Sequence, residues 1–422
     1  MEKLALIAQG WKIRILTFFS IFGPATIVAV ADNDANGVAT YALAGAQLGY
    51  PILFVLLWVT VLLAITQEMG ARLTIVTRKG LGDLIREKYG VRYAVPIFIT
   101  IAVANLILIV VNVVSLKVTA SLLGLPVIPL IVVTLVLTYL LVVKGSFTIV
   151  QNLVLFSCLL YFAYIYSAFK TSPDWGSALS NLVYPNGVVF DGAYIRNYII
   201  TGLAVIGTTI TPWGQFFISS FSLDKKIDAM RLRYAQVETY WGAFLTNFFS
   251  FFMIVATAAT LFLHQLPLIS GDQAATAIEP FAGRLASTFF AIGIMNAAFI
   301  GIFAIALSTT YAFSEFFGFS RSLDSSFNKS KQFYGLFGIQ LVVAGIIGLL
   351  PDLDLFSIAI AAQILSSLAL PIIFFYLIRF TSSRKVMGEH ANSSLQNWIA
   401  IFGTFLITCA AVFTVVAVIF GA

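Results

Sequence analysis

The chain has 422 residues, of which 60% are hydrophobic and 10% charged, with a net charge of +6 and a mean hydropathy of +0.98. A soluble chain is about 45–50% apolar and about 25% charged, and one of this length could not hide so much apolar side chain behind a polar surface. A cytosolic enzyme, a disordered chain and a disulfide scaffold are excluded, and long continuous apolar runs speak against a β-barrel.

A helix crossing a bilayer needs about 20 mostly apolar residues. Eleven such runs predict an all-α polytopic membrane protein, with spans at 14–48, 51–77, 93–114, 124–143, 147–169, 197–220, 237–263, 285–317, 333–350, 355–379 and 396–420. No linker is long enough for a soluble domain, so residues 1–422 read as one transmembrane domain. Met1 to Trp11 shows no removable signal peptide. Cys158 and Cys409 lie in apolar runs and read as small core residues rather than a disulfide. His264 and His390 fall in expected loops, which argues against a zinc-type site.

With the N-terminus inside, cytoplasmic segments collect 20 of the 24 Lys and Arg residues, among them Lys3, Lys12, Arg14, Arg72 and Arg78. Only Lys117, Lys170, Arg196 and Arg284 fall outside. The positive-inside rule therefore predicts a cell-membrane protein with a cytoplasmic N-terminus and an outside C-terminus. The positive charge reflects this orientation rather than nucleic-acid binding, since no basic face with stacking aromatics stands clear of the membrane. The expected partners are the lipid bilayer and a small substrate. Oligomeric state is not legible.

Two spans are interrupted. Span one carries Asp32-Asn33-Asp34-Ala35-Asn36-Gly37 at mid-membrane. Each ionisable side chain there costs about 2.5–3.5 kcal/mol or more on insertion, and Asp and Asn compete with helical hydrogen bonding. Span six carries Gly207-Thr208-Thr209-Ile210-Thr211-Pro212-Trp213-Gly214, where Pro212 removes a backbone donor. Glycine and proline are common in membrane helices, so the second interruption alone is compatible with an ordinary packed helix. The two carboxylates are harder to explain that way. Asp32 and Asp34 are two apart and point to different sides of a helix, so one can line a site while the other braces the break.

Interrupted helices at matching places in two halves point to a transporter site. Spans one and six are five apart, the spacing of two five-helix repeats, and an odd repeat necessarily inverts the second. Repeat one would cover about 14–169 and repeat two about 197–379, with 396–420 as one extra helix.

At these residues the sequence resembles the Nramp superfamily of divalent-metal transporters. The stretch from Phe22-Gly23-Pro24 through Asp34-Ala35-Asn36-Gly37 to Leu48-Gly49-Tyr50 is similar to the family's first helix. Ile65-Thr66-Gln67-Glu68-Met69 with Ala71-Arg72 is similar to its second, and Gln363-Ile364-Leu365-Ser366 with Leu370-Pro371 to its tenth. The resemblance implies a leucine-transporter-type fold with alternating access around a site between helices one and six.

Departures from the family pattern bear on the cargo. The metal-binding Asp-Pro-Gly-Asn reads Asp34-Ala35-Asn36-Gly37, with the Asn displaced or lost. The methionine of helix six is Thr211, its neighbouring alanine is Thr208, and the histidine after the proline is Trp213. Span three has no acidic residue, only Asn105 and Asn112. The combination resembles the Nramp-related magnesium transporter branch.

The expected metal site is Asp34 as principal charge partner, Asn36, Gly37, Thr209, the carbonyls of Ala31 and Thr208, the Thr211 hydroxyl and Gln363. Asp32, Asn33 and Trp213 would stand around it. These donors are oxygens, suited to Mg²⁺ and Mn²⁺ rather than to thioether-seeking metals. The cation is cargo; no cofactor and no catalytic residue are expected. Without titratable groups in span three, proton coupling should be weak or absent. Glu68, paired with a base such as Arg72, and Glu315 read as structural.

Three alternatives remain: a proton-coupled Mn²⁺/Fe²⁺ transporter, a sodium-coupled organic-substrate carrier, and an intramembrane Mg²⁺-dependent prenyl transferase. The last needs a second converging acidic cluster. Asp224 and Asp228, four apart on an expected loop helix, would form a solvated face instead.

Overall fold

Both interrupted spans fold as pairs of short helices. The computed structural model describes residues 23–145, 147–266, 268, 279–280, 283–323, 327–351 and 353–420. The first part of span one, with Lys3, Lys12 and Arg14, lies outside these residues. In chain order the helices are α1 (Pro24–Asp32), α2 (Ala35–Leu48), α3 (Leu53–Thr77), α4 (Leu81–Tyr89), α5 (Val91–Leu122) and α6 (Val127–Lys144). Next come α7 (Phe147–Ser157), α8 (Phe162–Lys170), α9 (Trp175–Val183), α10 (Gly192–Thr209), α11 (Pro212–Asp224) and α12 (Leu232–Thr257). The chain closes with α13 (Arg284–Phe317), α14 (Lys331–Gly348), α15 (Leu355–Thr381), α16 (Arg384–Met387) and α17 (Ser394–Phe420).

Among the described residues nine helical stretches are long and apolar enough to cross a membrane. They correspond to nine of the eleven expected spans. The other two are the interrupted segments α1–α2 and α10–α11, in which α1, α2 and α11 are too short and α10, with Arg196 and Asn197 in its first half, is not apolar enough. The fifth span is less regular than its apolar run implies: a 3₁₀ turn, Cys158–Tyr161, separates α7 from α8.

The middle of the bundle is α12 and α13, which are largely buried, whereas α6 and α17 turn much of their apolar surface outward. Val132, Val136 and Leu137 on α6 and Trp398, Phe402 and Phe405 on α17 are exposed. Such a surface suits lipid, and only helices with internally satisfied backbones can present it there. Trp58 and Trp241 are exposed on the same kind of surface. Both cysteines are free thiols, but Cys409 is exposed on α17 rather than packed in a core.

Buried charges brace helix ends. Glu238 on α12 accepts from the backbone of Gly23 and Thr26 at 2.8 and 2.9 Å, capping the N-terminus of α1. Burial pulls the nearby Lys225 ammonium down to about 8, an effect the Glu238 carboxylate opposes. Glu68 pairs with Arg72 at 2.7 Å, as expected. Glu315 accepts from Ser220 at 2.5 Å and from the Gly82 backbone at 2.9 Å, joining α13 to α11 and α4. Arg321 bridges Asp83 and Glu315 beside it.

Asp224 and Asp228 do not share a loop helix. Asp224 ends α11 and accepts from the Tyr311 hydroxyl at 2.6 Å and the Leu323 backbone at 2.9 Å. Asp228 caps a separate 3₁₀ turn at Ala229–Arg231. The expected solvated face is thus absent, and so is the converging cluster that prenyl-transfer chemistry would require of this pair.

Candidate metal site between the interrupted helices

Each interruption has its own local cause. α1 stops at Asp32, and Asp34, with extended backbone (φ −63°, ψ 172°), caps α2 by accepting from the Gly37 amide at 2.7 Å. In the sixth segment α10 stops at Thr209, and Thr211 caps α11 by accepting from the Gly214 amide at 3.1 Å. Pro212 occupies the first turn of α11, where its missing N–H costs nothing. The carbonyls freed at the first break find a donor in α7–α8: the Tyr161 hydroxyl lies 2.9 Å from both Val30 O and Asn33 O.

The breaks face one another. The Tyr41 hydroxyl on α2 meets the Thr209 hydroxyl on α10 at 2.8 Å. Gly37 stands against the end of α10. A Cβ placed there would lie 2.9 Å from the Asp32 carbonyl oxygen, 3.2 Å from Thr208 Oγ1 and 3.4 Å from Asp34 Oδ1. Three oxygens, two from the first break and one from the end of α10, thus gather around one point. Thr208 Oγ1 also accepts from Gln363 Nε2 on α15 at 3.1 Å. The remaining Gln363 oxygen, and both amide atoms of Asn36, are buried without a hydrogen-bond partner among the described residues. Buried polar atoms are nearly always satisfied in proteins, so these mark where a hydrated ion could be taken up.

Asp34 is fixed from a second side. Asn112 Nδ2 on α5 donates to Asp34 Oδ2 at 2.8 Å, while Asn112 Oδ1 accepts from the Ala35 amide at 3.2 Å. α13 comes so near that a Cβ on Gly301 would sit 2.5 Å from Asn112 Oδ1 and 2.7 Å from Asp34 Cβ. Only glycine permits that approach.

Asp34, Gly37, Thr208 and Gln363 therefore lie together, with Asn36 buried beside them in α2. Ala31 is in the last turn of α1, but the carbonyl placed next to Gly37 is that of Asp32. Thr209 is engaged with Tyr41 and with the Val205 carbonyl. Thr211 meets the Asp32 carboxylate at 3.3 Å. Asn33 faces away: its amide donates to Thr246 and accepts from Ser250, bracing the break against α12. The Trp213 carbonyl accepts from Ser308, and its ring packs edge-on against Phe217. Asn112 and Gln67, which donates to Asp32 Oδ2 at 3.3 Å, were not among the expected site residues. In the sequence Gln67 stands out only within the stretch similar to the family's second helix, and Asn112 only as an amide in a span without acids.

Other polar groups in the spans bond between helices. Asn296 donates to the Ser157 carbonyl, Asn105 to Thr309, and Gln340 to Thr310. This is the ordinary role of such residues in membrane bundles.

Two interrupted helices meeting at mid-bundle, among helices apolar enough to span a membrane, define the class as a helical membrane transporter fold. The chain belongs to the Nramp family: the profile described as natural resistance-associated macrophage protein-like matches residues 25–417. It is 25% identical over 406 residues to a protein of Verminephrobacter eiseniae named divalent metal cation transporter MntH, covering 92% of this chain and 86% of that one. A protein of the same name from Yersinia pestis is 25% identical over 386 residues, covering 88% of each. Among solved structures, a manganese transporter of Eremococcus coleocola superposes with a TM-score of 0.76 at 18% identity, covering 97% of this chain and 88% of that one. MhsT in complex with L-phenylalanine gives a TM-score of 0.61 at 16% identity, covering 92% and 98%. These neighbours share a leucine-transporter-like fold.

Proposed function

We propose that the chain is a secondary transporter of divalent cations, chiefly hydrated Mg²⁺ and also Mn²⁺, that works by alternating access with weak or no proton coupling. In this reading the protein has eleven spans with a cytoplasmic N-terminus. Two inverted repeats, about 14–169 and 197–379, provide α1–α2 and α10–α11. The cation binds among Asp34, the Asp32 carbonyl, Thr208, Gln363 and Asn36.

The observation that carries this reading is the donor set around Gly37. It contains one carboxylate, a carbonyl, a hydroxyl and amide oxygens, the hard donors that Mg²⁺ and Mn²⁺ take. Position 37 carries no side chain, and a Cβ there would already crowd the Asp32 carbonyl at 2.9 Å, so in this reading the ion sits at the edge of the cluster and keeps part of its water. Mg²⁺ sheds water reluctantly. A second reading, proton-coupled Mn²⁺ or Fe²⁺ transport, is favoured by the names of the relatives. Against it stand the amides of α5 where a proton path would need acids.

Uptake into proteoliposomes separates the two. We expect both Mg²⁺ and Mn²⁺ to enter while the lumenal pH stays constant. Mn²⁺ entry with matching acidification and no Mg²⁺ entry would select the second reading.

Two substitutions sharpen the test. Thr211→Met removes a cap worth about 1 kcal/mol and brings a thioether to the break. The expected result is Cd²⁺ uptake rising relative to Mg²⁺ uptake by about tenfold or more, since soft sulfur prefers softer ions; an unchanged ratio means position 211 does not meet the ion. Asn112→Asp keeps the acceptor for Ala35 but places a second carboxyl against Asp34. Two carboxylates that close hold one proton between them, and a divalent cation must expel it. Mg²⁺ affinity in the variant should therefore rise with pH, approaching tenfold per unit, more steeply than in the wild type. Binding titrations between about pH 6 and 8 measure the two slopes.

A further inference from the structure

The buried carboxylates of this protein are answered unequally. Glu68 has Arg72 at 2.7 Å, and Glu315 has Arg321 at 3.7 Å together with two hydrogen bonds. Glu238 accepts two backbone amides at under 3.0 Å. Asp34 accepts from Gly37 and Asn112 at 2.7 and 2.8 Å. Asp32 is 2% exposed, yet among the described residues it has only two long bonds from neutral donors, Thr211 Oγ1 and Gln67 Nε2, each at 3.3 Å. No cationic side chain pairs with it among the described residues.

A buried carboxylate with so little compensation is costly unless a cation joins it. Oxygen ligands for that cation are already in place. The Gln67 amide must turn its nitrogen to the carboxylate, which leaves Oε1 buried and without a partner among the described residues. Gln215 lies one turn into α11 from Thr211. It spends its nitrogen on Thr66 at 3.4 Å, and its Oε1 is likewise buried and without a partner among the described residues.

We propose that Asp32, Thr211 and Gln67, with Gln215 beside them, form a second station for the divalent cation, distinct from the one at Asp34. It rests on the metal-transport reading above. The peptide link carries the connection: Asp32 presents its carbonyl to the Gly37 site and its carboxylate to α3 and α11. An ion leaving Asp34 thus meets the next oxygens on the same residue, and the two stations fill in turn.

The test is Mn²⁺ binding to the purified full-length protein, read from the loss of the free-ion paramagnetic resonance signal. The variants are Asp34→Asn, Asp32→Asn and the double substitution. Asp34→Asn should still bind one Mn²⁺, at least tenfold more weakly than the wild type, and the double variant should bind none. Asp32→Asn should keep the site at Asp34. If Asp34→Asn binds no more Mn²⁺ than the double variant, the second station does not exist. Should Asp32→Asn fail to fold, Gln67→Leu in the Asp34→Asn background decides: residual affinity should drop about tenfold, and an unchanged affinity overturns the assignment. If instead residual binding behaves as expected but the wild type moves neither Mn²⁺ nor Mg²⁺ into vesicles, the transport reading fails and the station stands.

Discussion

Asp34→Ala is expected to abolish divalent-cation uptake, by about 100-fold or more, and Asp34→Asn to do nearly the same while keeping the fold. Asp34 has two roles that these substitutions separate. As a cap it accepts from the Gly37 amide, a function asparagine retains and alanine loses at about 1 kcal/mol. As a charge it faces the oxygens beside Gly37. A unit pair about 4 Å apart is worth about 4 kcal/mol at an effective dielectric near 20, and a divalent ion doubles that. Even after the ion's lost hydration is subtracted, a loss of about 3 kcal/mol leaves about one hundredth of the affinity. Uptake and thermal unfolding of both variants check this. Full uptake by Asp34→Asn would remove the carboxylate from the site and with it the proposed binding centre.

The two interruptions were legible because their residues contradict their surroundings. Asp, Asn and Gly at mid-span, or three threonines before a proline, do not propagate a helix, and both breaks lie at those residues. Side-chain targets were harder to read. Asn33 looks like a neighbour of the ion in sequence, yet it is spent on Thr246 and Ser250 of α12. Thr211 looks like a ligand for the ion held by Asp34, yet it caps α11 and meets Asp32. Such choices depend on which helix packs where, and no periodicity in an apolar run reveals that. Asn112, Tyr161 and Glu238 are the clearest cases. Asn112 and Tyr161 answer groups exposed by the break in span one and Glu238 answers the N-terminus of α1, from segments about 80 to more than 200 residues away in sequence. The close approach of α13 at Gly301 is invisible for the same reason.

Glu68→Ala is expected to lower stability by about 3–5 kcal/mol, the cost of stranding a buried guanidinium. Glu68 is fully buried and accepts four hydrogen bonds: two from Arg72, one from Gln236 on α12 at 2.8 Å and one from Gln396 on α17 at 3.1 Å. Arg72 in turn donates to the His390 carbonyl and to Asn392. The cluster therefore ties α3 to α12 and to the segment leading into the last helix. Replacing both charges with Glu68→Leu and Arg72→Met should recover part of the loss, because apolar substitutes for a buried pair are often tolerated. Recovery stays incomplete, since Gln236, Gln396 and the His390 carbonyl are left to find other partners. Thermal unfolding of the single and double variants in detergent measures the difference. The clasp also has a functional consequence. Gln67 precedes Glu68, and at 3.6 residues per turn the two point about 100° apart. With Glu68 anchored toward α12 and α17, Gln67 is held toward Asp32. Freeing that anchor lets α3 turn and the Gln67–Asp32 contact loosen. In the Asp34→Asn background, where the station at Asp32 is the one left, Glu68→Ala should therefore weaken the residual Mn²⁺ binding, although Glu68 touches neither site.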